Sequence, residues 1–153
     1  MVGSFGWLLV FHLFAAITVI GPAFVAPVIR RSAKTAVQAR FALDITAKLA
    51  WVPKIGGAVL IITGVWLMII AKMGLTQLWL NLSILLSLLM VVVIDACIEP
   101  RINKIARIVS ESQGQGDEVP AEFAQAMKKI APLESAAQLM MMIIVVFMVM
   151  KPF

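Results

Sequence analysis

Leu75-Thr-Gln-Leu-Trp-Leu-Asn-Leu-Ser-Ile-Leu-Leu-Ser-Leu-Leu-Met-Val-Val-Val-Ile-Asp-Ala-Cys97 carries one charge, Asp95, in 23 residues. A helix needs about 20 apolar residues to cross a hydrocarbon core of roughly 30 Å. Lipid offers the backbone no hydrogen-bond partners, so a stretch of this length and composition must be helical. Three more stretches read the same way, at Phe5–Val28, Leu49–Ala71 and Leu133–Met150. The sequence therefore predicts a single all-α integral membrane domain over residues 1–153: a four-helix transmembrane bundle with spans near 5–28, 49–71, 75–97 and 133–150.

The charges orient it. Residues 28–54 hold Arg30, Arg31, Lys34, Arg40, Lys48 and Lys54, and residues 99–132 hold Arg101, Lys104, Arg107, Lys128 and Lys129. Only Lys72 and Lys151 fall on the other side. Positive charge beside helix ends stays cytoplasmic, so both termini are expected outside. Anionic headgroups and topology explain the basic excess without nucleic acid. The first span has no basic residue before it and runs through Pro22 and Pro27 into a basic loop, unlike a cleaved signal peptide. The lone Cys97 excludes an internal disulfide and reads as a small apolar side chain. There is no GxGxxG, phosphate loop, CxxC or HExxH.

The two basic segments have helical periodicity and are expected to form amphipathic cytoplasmic helical extensions. Val37, Phe41 and Ile45 recur every four residues, a stripe that packs on the bundle or the headgroups or docks a partner. This helix is expected to run into the second span, with a kink at Pro53. Ile102, Ile105 and Val109 continue a stripe beyond Pro100, and Gly114-Gln115-Gly116-Asp117 breaks it. Pro120 and Glu122 suit the first turn of a new helix. That helix carries Phe123, Met127 and Ile130 on one face and is expected to stop near Pro132. Asp95 and Glu99 lie where they can form salt bridges with Arg101, Lys48 or Lys54 at the interface. No acidic residue lies deep in a span, which argues against a proton-driven pump or a cation channel.

His12, the only histidine, lies five to seven residues inside the first span, roughly 8–10 Å deep. Imidazole is costly in hydrocarbon without a partner or ligand. Ala15 and Ala16 give a small-residue face beside it that admits a neighbouring helix or a flat ligand, and Gly56, Gly57 and Gly64 suit close packing in span two. Antiparallel threading brings Gly64, Trp66, Asn81, Ser83, Ser87 and the methionines at 142–150 to the same depth. Two readings stay open. His12 bonds Asn81 or Ser83 and holds the bundle together, or it is a ligand to haem iron or copper. The ten methionines suit copper(I), but Met140-Met141-Met142 point three ways around a helix and methionine also serves as packing.

Trp7-Leu-Leu-Val-Phe-His12, then Gly21-Pro22-Ala23-Phe24 and Pro27, resemble the opening helix of a group of small bacterial membrane proteins. The group includes the HemJ-type protoporphyrinogen oxidases, the CopD copper-resistance membrane domains and an uncharacterised relative family. Pro53–Gly64 with Trp66, and Leu78-Trp79-Leu80-Asn81-Leu82-Ser83, fit the same pattern, so the resemblance covers roughly residues 5–100. It implies a bacterial inner-membrane location and a haem-binding role for the first-helix histidine, matched by His12. The implied lysine after the span-three tryptophan is Ser83 here, and the histidine beside that tryptophan is Asn81, so the residues implied for oxidase activity are missing. The candidate cofactor-binding residues are His12, Ala16, Trp66, Asn81 and Ser83, with His12 the metal ligand and haem b the cofactor. The competing classes are a non-catalytic accessory subunit of a larger membrane complex and a copper-handling protein. A homo-oligomer is expected, because one imidazole supplies one of two axial positions.

The orientation is tested with an impermeant thiol reagent on intact cells carrying Ser112→Cys or Gly74→Cys in a Cys97→Ser background. The Gly74→Cys protein should label and the Ser112→Cys protein should not. The reverse pattern overturns the topology.

Overall fold

A computed structural model of the chain describes residues 3–74, 76–111 and 118–152. The Gly114–Asp117 breaker lies outside the described residues. The helices are α1 (Ser4–Arg31), α2 (Ala36–Leu49), α3 (Trp51–Ile70), α4 (Leu78–Val92), α5 (Glu99–Glu111) and α6 (Ala121–Met150), with a π-helical segment, Val93–Ile98, joining α4 to α5. Four continuous runs are long and apolar enough to cross a membrane: Ser4–Arg31, Ala36–Ile70, Leu78–Glu111 and Ala121–Met150. In their most apolar windows only 6–17 % of residues are buried by protein, so lipid must cover the rest.

Prolines shape these runs. Pro53 falls in the first turn of α3, where the backbone N–H has no intrahelical acceptor to lose. Helix α2 runs on toward the second span as expected, separated from α3 by the single residue Ala50, which keeps right-handed helical angles and whose N–H bonds the Thr46 and Ala47 carbonyls. Helix α2 opens on a variant of the capping box: the Thr35 hydroxyl accepts from the Gln38 N–H, and the Gln38 side chain accepts from the N–H of Lys34, one residue before the cap. Pro100 lacks the N–H that would bond back along the helix, and the wider π turn lies just before it. Pro120 and Glu122 begin α6 as expected, but the helix does not stop near Pro132. It runs through it to Met150, since the exposed Lys128 carbonyl that Pro132 leaves unbonded can meet water.

In the membrane the helices form an open row rather than a closed ring. Helix α1 packs on α3 and on α6, and α6 packs on α4, while α3 and α4 share at most a marginal contact among the described residues. The most continuous core lies on the basic side. There Ala39 and Leu43 of α2, Ile105 and Val109 of α5, and Phe123, Met127 and Ile130 of α6 are buried together. The stripe Val37–Phe41–Ile45 is on the opposite face of α2 and points away from the protein. The inward face is Ala39, Ala42, Leu43 and Thr46; α2 packs on α1 and α5, with the small Ala39 and Ala42 allowing close approach and Leu43 filling the core. The expected interfacial salt bridge is Lys54 to Glu99, at 2.6 Å, while Lys48 pairs within α2 with Asp44.

The α1–α6 contact is polar at its heart. Pro27 gives no N–H to the Ala23 carbonyl, and Gln138 Nε2 donates to that oxygen at 3.0 Å. One turn toward the basic side, Glu134 accepts from Arg30 on one carboxylate oxygen and from Arg31, at 2.6 Å, on the other. Arg30 and Glu134 are both buried. Removing one member of a buried ionic group leaves uncompensated charge, at a cost of about 3–5 kcal/mol. Glu134→Ala should therefore strongly lower the thermal midpoint of the detergent-solubilised protein, and Gln138→Leu should lower it less. An unchanged midpoint for Glu134→Ala would show that the pair does not hold α1 to α6.

Candidate functional site in the seam between α1 and α3

His12 faces α3, with Nδ1 2.8 Å from Thr63 Oγ1. A threonine hydroxyl has one hydrogen to give, and Thr63 Oγ1 lies 2.7 Å from the Val59 carbonyl and 3.2 Å from that of Leu60. A carbonyl can only accept, so the hydroxyl hydrogen is committed to the helix backbone. Thr63 Oγ1 must then accept, and Nδ1 carries the hydrogen. A neutral imidazole protonated at Nδ1 has its lone pair at Nε2.

The seam is narrow because α3 presents glycine to it. A Cβ at Gly64 would sit 3.3 Å from His12 Cε1. A Cβ at Gly56, two turns toward the basic side, would fall 2.0 Å from Thr18 Oγ1 and 3.3 Å from the Ala15 carbonyl. Thr18 Oγ1 is itself held by a 2.7 Å bond to that carbonyl. Beside the seam lies an apolar groove of about 360 Å³ walled by Phe11, Phe14, Val52, Ile55 and Val59, with Gly56 among its lining residues. His12 does not line it.

Of the residues expected near His12, the structure brings up Gly64, and Ala15 and Ala16 lie one turn along, buried and half-buried. Trp66 is on an exposed face of α3. Ser83 is not the partner of His12. It is fully buried on α4, where its hydroxyl donates to the Trp79 carbonyl at 2.8 Å and its own carbonyl accepts from Ser87. Asn81 rides on the same helix, with its N–H bonded to the Gln77 carbonyl. Helix α4 packs chiefly on α6 and meets α1 only marginally, around Met90, which is why these two residues are carried away from the histidine. Among the described residues no three His, Cys, Asp or Glu side chains are placed to hold a metal ion.

Thr63, Glu134 and Gln138 are the residues that reading the sequence missed. Thr63 is a lone hydroxyl midway along span two, and Glu134 and Gln138 are polar residues four apart where span four begins. Polar side chains at such depths normally have a partner.

A family model described as "Predicted integral membrane protein (DUF2269)" matches residues 7–152, and the chain belongs to that family. No curated protein and no solved structure matches the chain.

The glycines separate cleanly in a substitution test. Nothing lies within 4 Å of a Cβ at Gly57, so Gly57→Ala should be tolerated. Gly56→Ala drives a methyl group into the Thr18 hydroxyl and should cost about 1–3 kcal/mol, the usual price of overpacking. Thermal melting of the two variants in one detergent checks this, and equal midpoints would contradict the close α1–α3 approach.

Proposed function

We propose that this member of the DUF2269 family is a multi-pass protein of the bacterial inner membrane that binds b-type haem through His12, for electron transfer or haem handling. One observation carries the reading. The bond to Thr63 engages Nδ1 in a seam between two membrane-spanning helices, so Nε2 is the nitrogen whose lone pair would meet a ligand. The bond on one imidazole nitrogen decides which nitrogen meets a metal, and such a partner also orients the ring and raises its basicity. Thr63 fits that supporting role, and Gly64 leaves room for the ring to stand against α3.

When bound, haem supplies an iron that takes an imidazole axial ligand and exchanges one electron. The chain's part is to present Nε2, fix the tautomer and keep the surroundings apolar. The resemblance to the HemJ-type proteins supports a ligand role for the first-helix histidine, while Ser83 and Asn81 at the positions of the implied lysine and histidine argue against oxidase activity. Each chain has one imidazole to offer. A second copy related by a two-fold axis would present its own His12 to the same group, and the small Ala16 beside His12 would favour that approach.

A second reading, an accessory subunit of a larger membrane complex, draws on a different observation. Val37, Phe41 and Ile45 form an exposed apolar face on α2 without a covering element. Copper handling would have to rest on His12 and methionine thioethers alone, a donor set suited to copper(I).

Absorbance spectra of protein expressed with added haem separate these readings. The wild type should show a Soret band, which His12→Ala removes while the protein remains inserted and monodisperse. Thr63→Val should weaken haem affinity by about 10–100-fold. The shared-ligand form requires one haem for every two chains. Wild-type spectra indistinguishable from those of His12→Ala would sink the haem reading, and one haem on a monomeric chain would sink the shared ligand.

A further inference from the structure

We propose that the groove between α5 and the first half of α6 is a binding site for the phosphate headgroup of an anionic phospholipid. The groove, about 220 Å³ in volume, is lined by three cations, Arg101, Lys104 and Lys129, above a floor that includes the buried Ile105 and Ile130. Glu122 also lines it, leaving a formal charge of +2 from three cations and one carboxylate. Among the described residues none of the three cations has a carboxylate within 4 Å. By contrast Arg30, Arg31, Lys48 and Lys54 are all paired. Unpaired cations gathered over an apolar floor suit an amphiphile with one anionic head. Guanidinium gives a phosphate paired N–H donors and ammonium adds a compact charge.

Depth identifies the source of the phosphate. Helix α3 has 20 residues, about 30 Å of helix, which is the thickness of the hydrocarbon core. Lys54, in the first turns of α3, pairs with Glu99 at the start of α5, so that pair marks the basic edge of the core. Arg101 follows Glu99 by two residues, which puts the groove mouth at headgroup level, where basic pockets among transmembrane helices take anionic lipids. The aliphatic floor receives the glycerol and upper acyl carbons that an inorganic phosphate lacks.

The test uses the full-length protein in nanodiscs of phosphatidylglycerol and phosphatidylcholine with the same acyl chains. After extraction into detergent, native mass spectrometry counts the lipids retained. The wild type should retain phosphatidylglycerol over phosphatidylcholine by roughly tenfold. The triple variant Arg101→Gln, Lys104→Gln, Lys129→Gln should lose this preference, and Lys104→Glu alone, a milder perturbation of the fold, should reduce it. A charge-matched control, Lys34→Gln, Arg107→Gln, Lys128→Gln, should keep it. Equal loss in the control would show that net charge rather than the groove selects the lipid and would overturn the proposal. So would displacement of phosphatidylglycerol by inorganic phosphate at constant ionic strength, which would assign the groove to a soluble phosphate.

Discussion

A carbonyl deprived of its donor is the constraint on which the packing of α1 and α6 turns. Pro27 cannot bond the Ala23 oxygen, and hydrocarbon offers no substitute. Gln138 reaches across from α6 to supply the missing hydrogen, and this fixes how far along one another the two helices lie. The register so set brings Glu134 opposite Arg30 and Arg31, where a buried carboxylate can be matched by two guanidiniums. It also brings Val19, Ile20 and Ala23 onto the small cluster of Met90, Ala137 and Met141. Apolar contacts gain little from lipid, which is as apolar as leucine, so the polar contacts carry the specificity.

The α1–α3 seam follows a different principle. Its closeness comes from what α3 leaves out, at Gly56 and Gly64, and from a threonine that returns its hydrogen to its own helix. With that hydrogen committed, Thr63 meets the histidine as an acceptor. A serine or threonine bonded in this way inside a span acts as a directional acceptor, and the residue it faces is forced into one protonation pattern. The tautomer of His12 is therefore set from α3, one helix away from the ring itself.

Much of this architecture is legible in the sequence because lipid makes length and composition decisive. Four spans, the helical extensions, the start of α6 at Pro120 and the inward face of Phe123, Met127 and Ile130 all follow from periodicity and backbone chemistry. Depth along each span is legible too, and it places Gly64 level with His12. What periodicity leaves undetermined is which spans are neighbours. Asn81 and Ser83 are polar residues at the right depth on a helix that packs elsewhere, so depth alone gave the histidine the wrong partners. Of the surfaces that the stripe Val37–Phe41–Ile45 could meet, its exposure removes the bundle and leaves the headgroups or a partner, while the protein-facing side of α2 is carried by Ala39, Ala42 and Leu43. Pro132 misled because a helix can run through a proline when packing on both sides holds it, as the buried Phe123, Met127 and Ile130 before it and Glu134 and Ala137 after it hold α6.

The open row has a mechanical consequence. Helices α1 and α3 form one antiparallel pair, α4 and α6 another, and the pairs meet through α1 and α6. That meeting runs from Val19 to Arg31, entirely within the basic half of α1. His12 lies seven residues beyond Val19, about 10 Å farther from the ion cluster. The molecule is thus a pair of tongs riveted on the basic side, where the arginine–glutamate cluster, the α2–α5 packing and the Lys54–Glu99 pair all lie. A given angular opening spreads the far ends most, so the widest change in span separation falls at the end of the molecule that carries the histidine.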